Sequence, residues 1–225
     1  MTGKESVAGA QRQWAAGDWF SGGVLDPLLE INGQCIDILC GMAGAEVAAL
    51  PLLREQPQLW RALSVEGRRQ MANSPYLLVD AGFSDEVRWR RLQQNGVQDV
   101  PRELRADCFQ GERAAGFARR VLVYGWHLAR AHRSVARIAL GMTPGCIACI
   151  AQLSLRDIDW LCEHHPGWVR PRWESQPLVW RQMLAAAVNA DEDALHQASL
   201  RGIQLLAAGA WSFCDAGRVP ARRDQ

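Results

Sequence analysis

Cys146-x-x-Cys149, followed after twelve intervening residues by Cys162 and then by His164-His165, comes nearest in this 225-residue chain to a metal-binding pattern. Zinc takes thiolates and imidazoles in a tetrahedron, and a Cys-x2-Cys pair with a later Cys/His group is one way to supply them. The surroundings favour a different role. Both cysteines lie in an apolar helical run, PGCIACI, where cysteine packs as a small hydrophobe. We therefore assign no metal and no cofactor, and keep Cys146, Cys149, Cys162 and His164 as the ligand set of a zinc alternative. Nucleophilic chemistry has less support. The chain holds no Gly-x-Ser-x-Gly, no phosphate-cradling Gly-x4-Gly-Lys, no His-Glu-x-x-His and no Gly-x-Gly-x-x-Gly. Its carboxylates are scattered, so the expectation is a protein that is not an enzyme.

Arginine carries the stronger signal. Residues 112–140, ERAAGFARRVLVYGWHLARAHRSVARIAL, read as one long amphipathic helix. At about 100° per residue, Phe117, Val121, Tyr124, Leu128 and Val135 share the apolar side. Arg119, Arg130, Arg133 and Arg137 take the opposite side, with Trp126 among them. No Asp or Glu occurs from Arg113 through Arg156. Such a stripe can track a phosphate backbone, with Trp126 free to stack or wedge. Arg156 extends it onto the next helix, so the DNA-binding set is Arg119, Arg130, Arg133, Arg137 and Arg156. The plainer alternative is a solvated face, or pairing with acids such as Asp191-Glu192-Asp193. His127 and His132 complete the same helix surface, and His164-His165 complement a helix C-terminus.

Local signals define the elements that hold these residues. Thr143 caps a short helix with Pro144 at its first position, and Ile147, Ile150 and Ala151 fall on one face. Ser154 caps the next helix, with Asp157 three residues on, and Ile158, Leu161 and Cys162 line one side until Pro166 stops it. Helix, joint, helix is the layout of a helix-turn-helix and equally of a plain helical hairpin, and this joint has no glycine. Further helices are expected over 31–50, 59–73 with Ser64 as an internal cap, 84–92 and 191–210. Residues 75–83 are extended and 93–101 form a linker. Residues 1–25 read as a flexible arm and 216–225 as a flexible tail.

Composition sets the class. Hydrophobic residues make up 48% and charged residues 22%, too apolar for disorder, and ten Trp against two Tyr predict an indole-rich core or interface. A net charge of +1 argues against bulk attraction to nucleic acid. Lys4 is the only lysine, a bias that GC-rich coding explains as well as phosphate recognition does. The N-terminal segment lacks an apolar signal-peptide core and no run is long enough to span a membrane. A cytoplasmic protein with reduced cysteines is expected.

The two halves also resemble each other. Leu63-Ser64-Val65 matches Leu153-Ser154-Leu155, and Met71 matches Leu161. After a one-residue gap, Pro75 matches Pro166, Leu77-Leu78 matches Trp168-Val169, and Val87-Arg88-Trp89-Arg90 parallels Leu178-Val179-Trp180-Arg181. Upstream, ILCGMAGAEVAAL from Ile38 resembles IALGMTPGCIACI from Ile138. The expected fold is all-α, with two related helical units, 26–101 and 102–215, packed as a pseudo-dimer. Neither unit buries its own face well alone.

From about Tyr124 to Ala210 the chain resembles the FlhD family of flagellar and mobile-element transcriptional regulators. The residues that carry the likeness are Ile138 to Met142 (IALGM), Ala151-Gln152-Leu153-Ser154-Leu155, Arg170-x-Arg172-Trp173-Glu174, Asp193-Ala194-Leu195-x-Gln197 and Ile203-x-Leu205-Leu206. The resemblance implies an all-helical protein that oligomerises, partners an FlhC-like protein and activates promoters, much of the DNA contact coming from the partner. The chain departs from the family in length, and the first half would then serve as a fused second subunit. A non-DNA interaction scaffold or adaptor, for example one associated with a secretion system, is the alternative.

Overall fold

A computed structural model of the chain describes residues 23–43, 50–99, 108–109 and 112–216. The expected arm and tail, and the end of the helix expected over 31–50, lie largely or wholly outside the described residues. The fold is all-α. The first half comprises α1 (Asp26–Ala43), α2 (Pro51–Arg54), α3 (Pro57–Ala62), α4 (Val65–Ala72), β1 (Val79–Asp80) and α5 (Glu86–Asn95). The second half comprises α6 (Glu112–Ala131), α7 (Arg133–Leu140), α8 (Pro144–Ile150), α9 (Leu155–His164), β2 (Arg170–Pro171) and α10 (Pro177–Val188), followed by α11 (Glu192–Ala216).

The helix starts follow the caps. Ser64 Oγ accepts from Gly67 N at 3.0 Å, so the segment expected as one helix over 59–73 is two, α3 and α4. Thr143 Oγ1 accepts from Cys146 N at 3.2 Å and opens α8. Ser154 and Asp157 form a reciprocal capping box at α9, Asp157 N donating to Ser154 Oγ at 3.2 Å and Ser154 N to Asp157 Oδ2 at 2.8 Å. Two orphan donors of the first turn are thereby satisfied.

The long helix expected over 112–140 is corrected to two, α6 and α7, with the chain turning at His132 (φ −137°, ψ 60°). Tertiary bonding fixes where α7 ends. The carbonyls at the end of α7, left without partners inside the helix, are taken by one distant segment from each half: Leu77 N donates to Ala139 O at 2.9 Å and Arg172 Nη2 to Leu140 O at 3.0 Å. Gly141 closes α7 in the left-handed conformation (φ 67°), the position where glycine carries no Cβ penalty. α7 and α8 meet at 119°.

The core joins the two halves. Trp60 of α3 packs on Trp180 of α10 at 5.7 Å, and Trp89 of α5 meets Trp168 edge-on at 5.6 Å. Such aromatic pairs add about 0.5–1.5 kcal/mol each beyond area burial. β1 and β2 pair antiparallel with Val79 opposite Pro171 and Asp80 opposite Arg170. Fully buried Asn32 ties α1 to this region, donating to Tyr76 O at 2.9 Å and accepting from Leu78 N at 2.8 Å. Buried Arg172 donates to Leu77 O, Val79 O and Leu140 O, with Asp80 3.7 Å away. Burial lowers its pKa below the usual guanidinium value, opposed by Asp80 and Tyr76. No single helix among the described residues is long and apolar enough to cross a membrane.

Candidate nucleic-acid interface

The apolar side of α6 is buried as the periodicity requires, with Phe117, Val121, Tyr124 and Leu128 all in the core. Its opposite side, and that of α7, is left to solvent, and all five arginines of the sequence-derived set are exposed. Their surroundings differ. Arg119 is engaged: its Nε donates to Asp159 Oδ1 of α9 at 2.6 Å. Arg130, at the end of α6, holds its guanidinium 4.7 Å above the Trp126 ring.

Trp126 is half-buried rather than free to stack or wedge, since its indole N–H donates to Leu153 O at 2.9 Å and its face is covered by Arg130. It locks the end of α6 to the joint before α9. That removes the wedging role expected of it.

Arg133 and Arg137 sit on α7, beyond the turn, and Arg156 sits in the first turn of α9. None of the three has an ion-pair or hydrogen-bond partner among the described residues. Asp191, Glu192 and Asp193 are exposed and form no ion pair with them. Other exposed arginines also lack a partner among the described residues, Arg61 and Arg181 among them. What distinguishes α7 is the lack of any carboxylate on the helix itself or in its sequence surroundings.

The orientation of α7 is fixed from below. Ala136, Ala139 and Leu140 are buried, while Arg133, Ser134, Arg137 and Ile138 face out. The helix-joint-helix of α8 and α9 makes a poor reading head by comparison. α8 buries Cys146, Ile147, Cys149 and Ile150, and the outer side of α9 sets Glu163 beside His164. Negative charge there would repel phosphate.

The cysteines do not form a centre. Burial pushes the Cys146 and Cys162 thiols up to about 12, and raises Cys149 less strongly. A protonated thiol is a poor metal ligand. Cys149 Sγ donates instead to Gln93 Oε1 at 3.2 Å, and His164 stacks on Trp160 at 4.3 Å. Among the described residues no three His, Cys, Asp or Glu side chains converge as a metal site, so the zinc alternative's ligand set is not brought together.

Two features escaped sequence reasoning. Glu86 Oε1 accepts from Gly145 N at 3.3 Å and occupies the start of α8, where a Cβ at Gly145 would overlap its carboxylate. The buried Arg172 network has no local signal that separates Arg172 from its neighbours Arg170 and Glu174, which stay partly exposed. The chain matches no family model, no curated protein and no solved structure.

Proposed function

We propose that this chain is a cytoplasmic transcriptional regulator or coactivator of the FlhD type, meeting DNA through α7 and the adjoining end of α6. One observation carries the reading. Arg133 and Arg137 stand exposed and unpaired on a helix whose inner side is anchored in the core and whose sequence surroundings hold no acid. An unpaired guanidinium on a rigid element is suited to neutralise a phosphate, because it gives up no internal ion pair on binding. Arg130, braced on Trp126, and Arg156 complete the contact set. Arg119 drops out of it because Asp159 already holds it.

The two halves act in this reading as a fused pseudo-dimer. Several observations support it, at or beside positions matched in the sequence comparison. β1 pairs with β2 in a register that a local two-fold axis would generate. Ser64 and Ser154 both cap helices. Gly82 and Trp173 both take positive φ, at 70° and 54°. Trp89 and Trp180 each give their indole N–H to a carbonyl just past a strand, Gly82 O and Arg172 O, both at 2.7 Å. An FlhC-like partner would supply the remaining DNA contacts.

A band-shift titration over a range of salt concentrations tests the proposal. Four neutralised phosphates give a slope of log K against log salt of about −3.6, and losing Arg133 and Arg137 together reduces its magnitude by about 1.8. Binding that ignores salt, or that the double variant leaves unchanged, removes the DNA reading. A protein that binds no DNA and purifies with a stable protein partner favours the scaffold alternative.

A further inference from the structure

A cleft of about 370 Å³ lies between the β1–β2 pair and the second half of α11. That is within the roughly 300–1,000 Å³ usual for small-molecule sites. Its charged lining sets three arginines, Arg88, Arg170 and Arg172, against two carboxylates, Asp80 and Glu174. Arg170 is held by Glu174 at 2.7 Å, and the Arg88 guanidinium lies 4.8 Å over the Trp168 ring. Arg172 is 8% exposed and not fully bonded. Its Nε and Nη2 serve the carbonyls of Leu77, Val79 and Leu140, whereas Nη1 has no hydrogen-bond partner among the described residues and keeps access to solvent. Nη1 lies beside Gly141, itself part of the cleft wall, 3.8 Å from where a Cβ there would sit. Burial works against the Arg172 charge, and Asp80 offsets it only in part. Trp168, in the same wall, buries its indole N–H without an acceptor, one of two side-chain polar atoms so placed among the described residues. Orphaned buried donors are rare in folded proteins and call for an acceptor.

We propose that this cleft binds a small organic carboxylate carrying an apolar body of aromatic size. The lining's surplus of one positive charge matches a monoanion. A carboxylate oxygen accepts from Arg172 Nη1 as the three carbonyls accept from Nε and Nη2, and such charge-assisted bonds are roughly twice as strong as neutral ones. The apolar part of the lining sets the rest of the ligand. Trp168 and Trp173 present indoles, and Pro171, Leu205 and Leu206 present aliphatic surface that a bare inorganic oxyanion would leave wet. Trp173 holds its place in the wall with a left-handed backbone (φ 54°). That conformation is uncommon for a bulky residue, and such strain clusters at ligand clamps and active sites. The cleft contains none of the arginines assigned to DNA, so this proposal stands or falls without that reading.

Titration calorimetry of the full chain with phenylacetate and indole-3-acetate tests it. The expected result is saturable one-to-one binding of at least one of these acids. It should be at least about tenfold tighter than acetate, which lacks the apolar body, and than the amide of the same acid, which lacks the charge. Arg172 bonds three carbonyls, so replacing it would disturb the fold, and the variants are placed on the rim instead. Ser175→Glu sets a carboxylate at the exposed edge of the cleft, and Gly209→Phe fills open space, since nothing lies within 4 Å of a Cβ there. Each weakens binding by at least about tenfold, with circular-dichroism melting curves showing that the fold is retained. Saturable binding of neither acid overturns the proposal. So does an amide or acetate that binds as well, inorganic phosphate that binds more tightly than both acids, or an affinity that either variant leaves unchanged.

Discussion

The guanidinium of Arg130 lies 4.7 Å over the ring of Trp126, and that ring gives its N–H to the Leu153 carbonyl at 2.9 Å. One indole thus braces a surface cation and pins the end of α6 to the joint before α9. Replacing Trp126 with Phe keeps an aromatic ring under Arg130 but leaves the Leu153 carbonyl without its donor. The expected cost is about 1–3 kcal/mol, or a fall in Tm of several degrees at this chain size, read by thermal or urea unfolding. An unchanged midpoint would show that the bond contributes nothing net.

Arg119 and Arg133 look alike in the sequence and differ in the structure. Arg119→Ala removes an exposed ion pair with Asp159, and the expected loss of stability is under about 1 kcal/mol. The salt slope of DNA binding should not move with it. Arg133→Ala should leave stability alone and reduce the slope by about 0.9. The reverse pattern in parallel band-shift and unfolding measurements would contradict the assignment.

Ser154 anchors α9 through both halves of its capping box. Ser154→Ala deletes the acceptor for Asp157 N and should cost about 1 kcal/mol, while Ser154→Asn, which retains an acceptor and adds no charge beside Asp157, should cost clearly less. Chemical denaturation of the two variants side by side distinguishes loss of the cap from loss of the hydroxyl as such.

The buried thiols predict an alkaline weakness. Cys146 and Cys162 move from an ordinary 9.0 to about 12 on folding, with desolvation the leading cause for both. Between those values the unfolded chain has released these protons while the folded chain still holds them. Stability therefore falls as pH rises from about 9 to about 12, by about 1.4 kcal/mol per pH unit per thiol, and is unaffected below that window. Unfolding midpoints across the alkaline range should decline less steeply in a Cys146→Ala, Cys162→Ala variant. Equal declines would mean that these thiols are not the cause.

Much of the local structure was legible in the sequence because its causes are local. Ser64, Thr143 and Ser154 announce helix starts by the hydroxyl each offers to an N–H three residues on, and Pro166 announces a stop by lacking an N–H. The burial of Phe117, Val121, Tyr124 and Leu128 follows from a period of 3.6 residues. The outward placement of Arg119 and Arg130 follows from the same period, while Arg133 and Arg137 face out because α7 buries Ala136, Ala139 and Leu140.

Tertiary contacts decided what these local signals leave open. Nothing in the run Ala131-His132-Arg133 marks a helix break, and nothing local marks what receives the end of α7, because Leu77 N and Arg172, which take the carbonyls of Ala139 and Leu140, lie distant in the chain. Arg119 was separated from Arg133 by Asp159, forty residues away on α9. Trp126 lost its freedom to stack for the same kind of reason. Period and capping determine which side chains face outward. Whether an outward cation is still unpaired depends on what the rest of the chain brings to it.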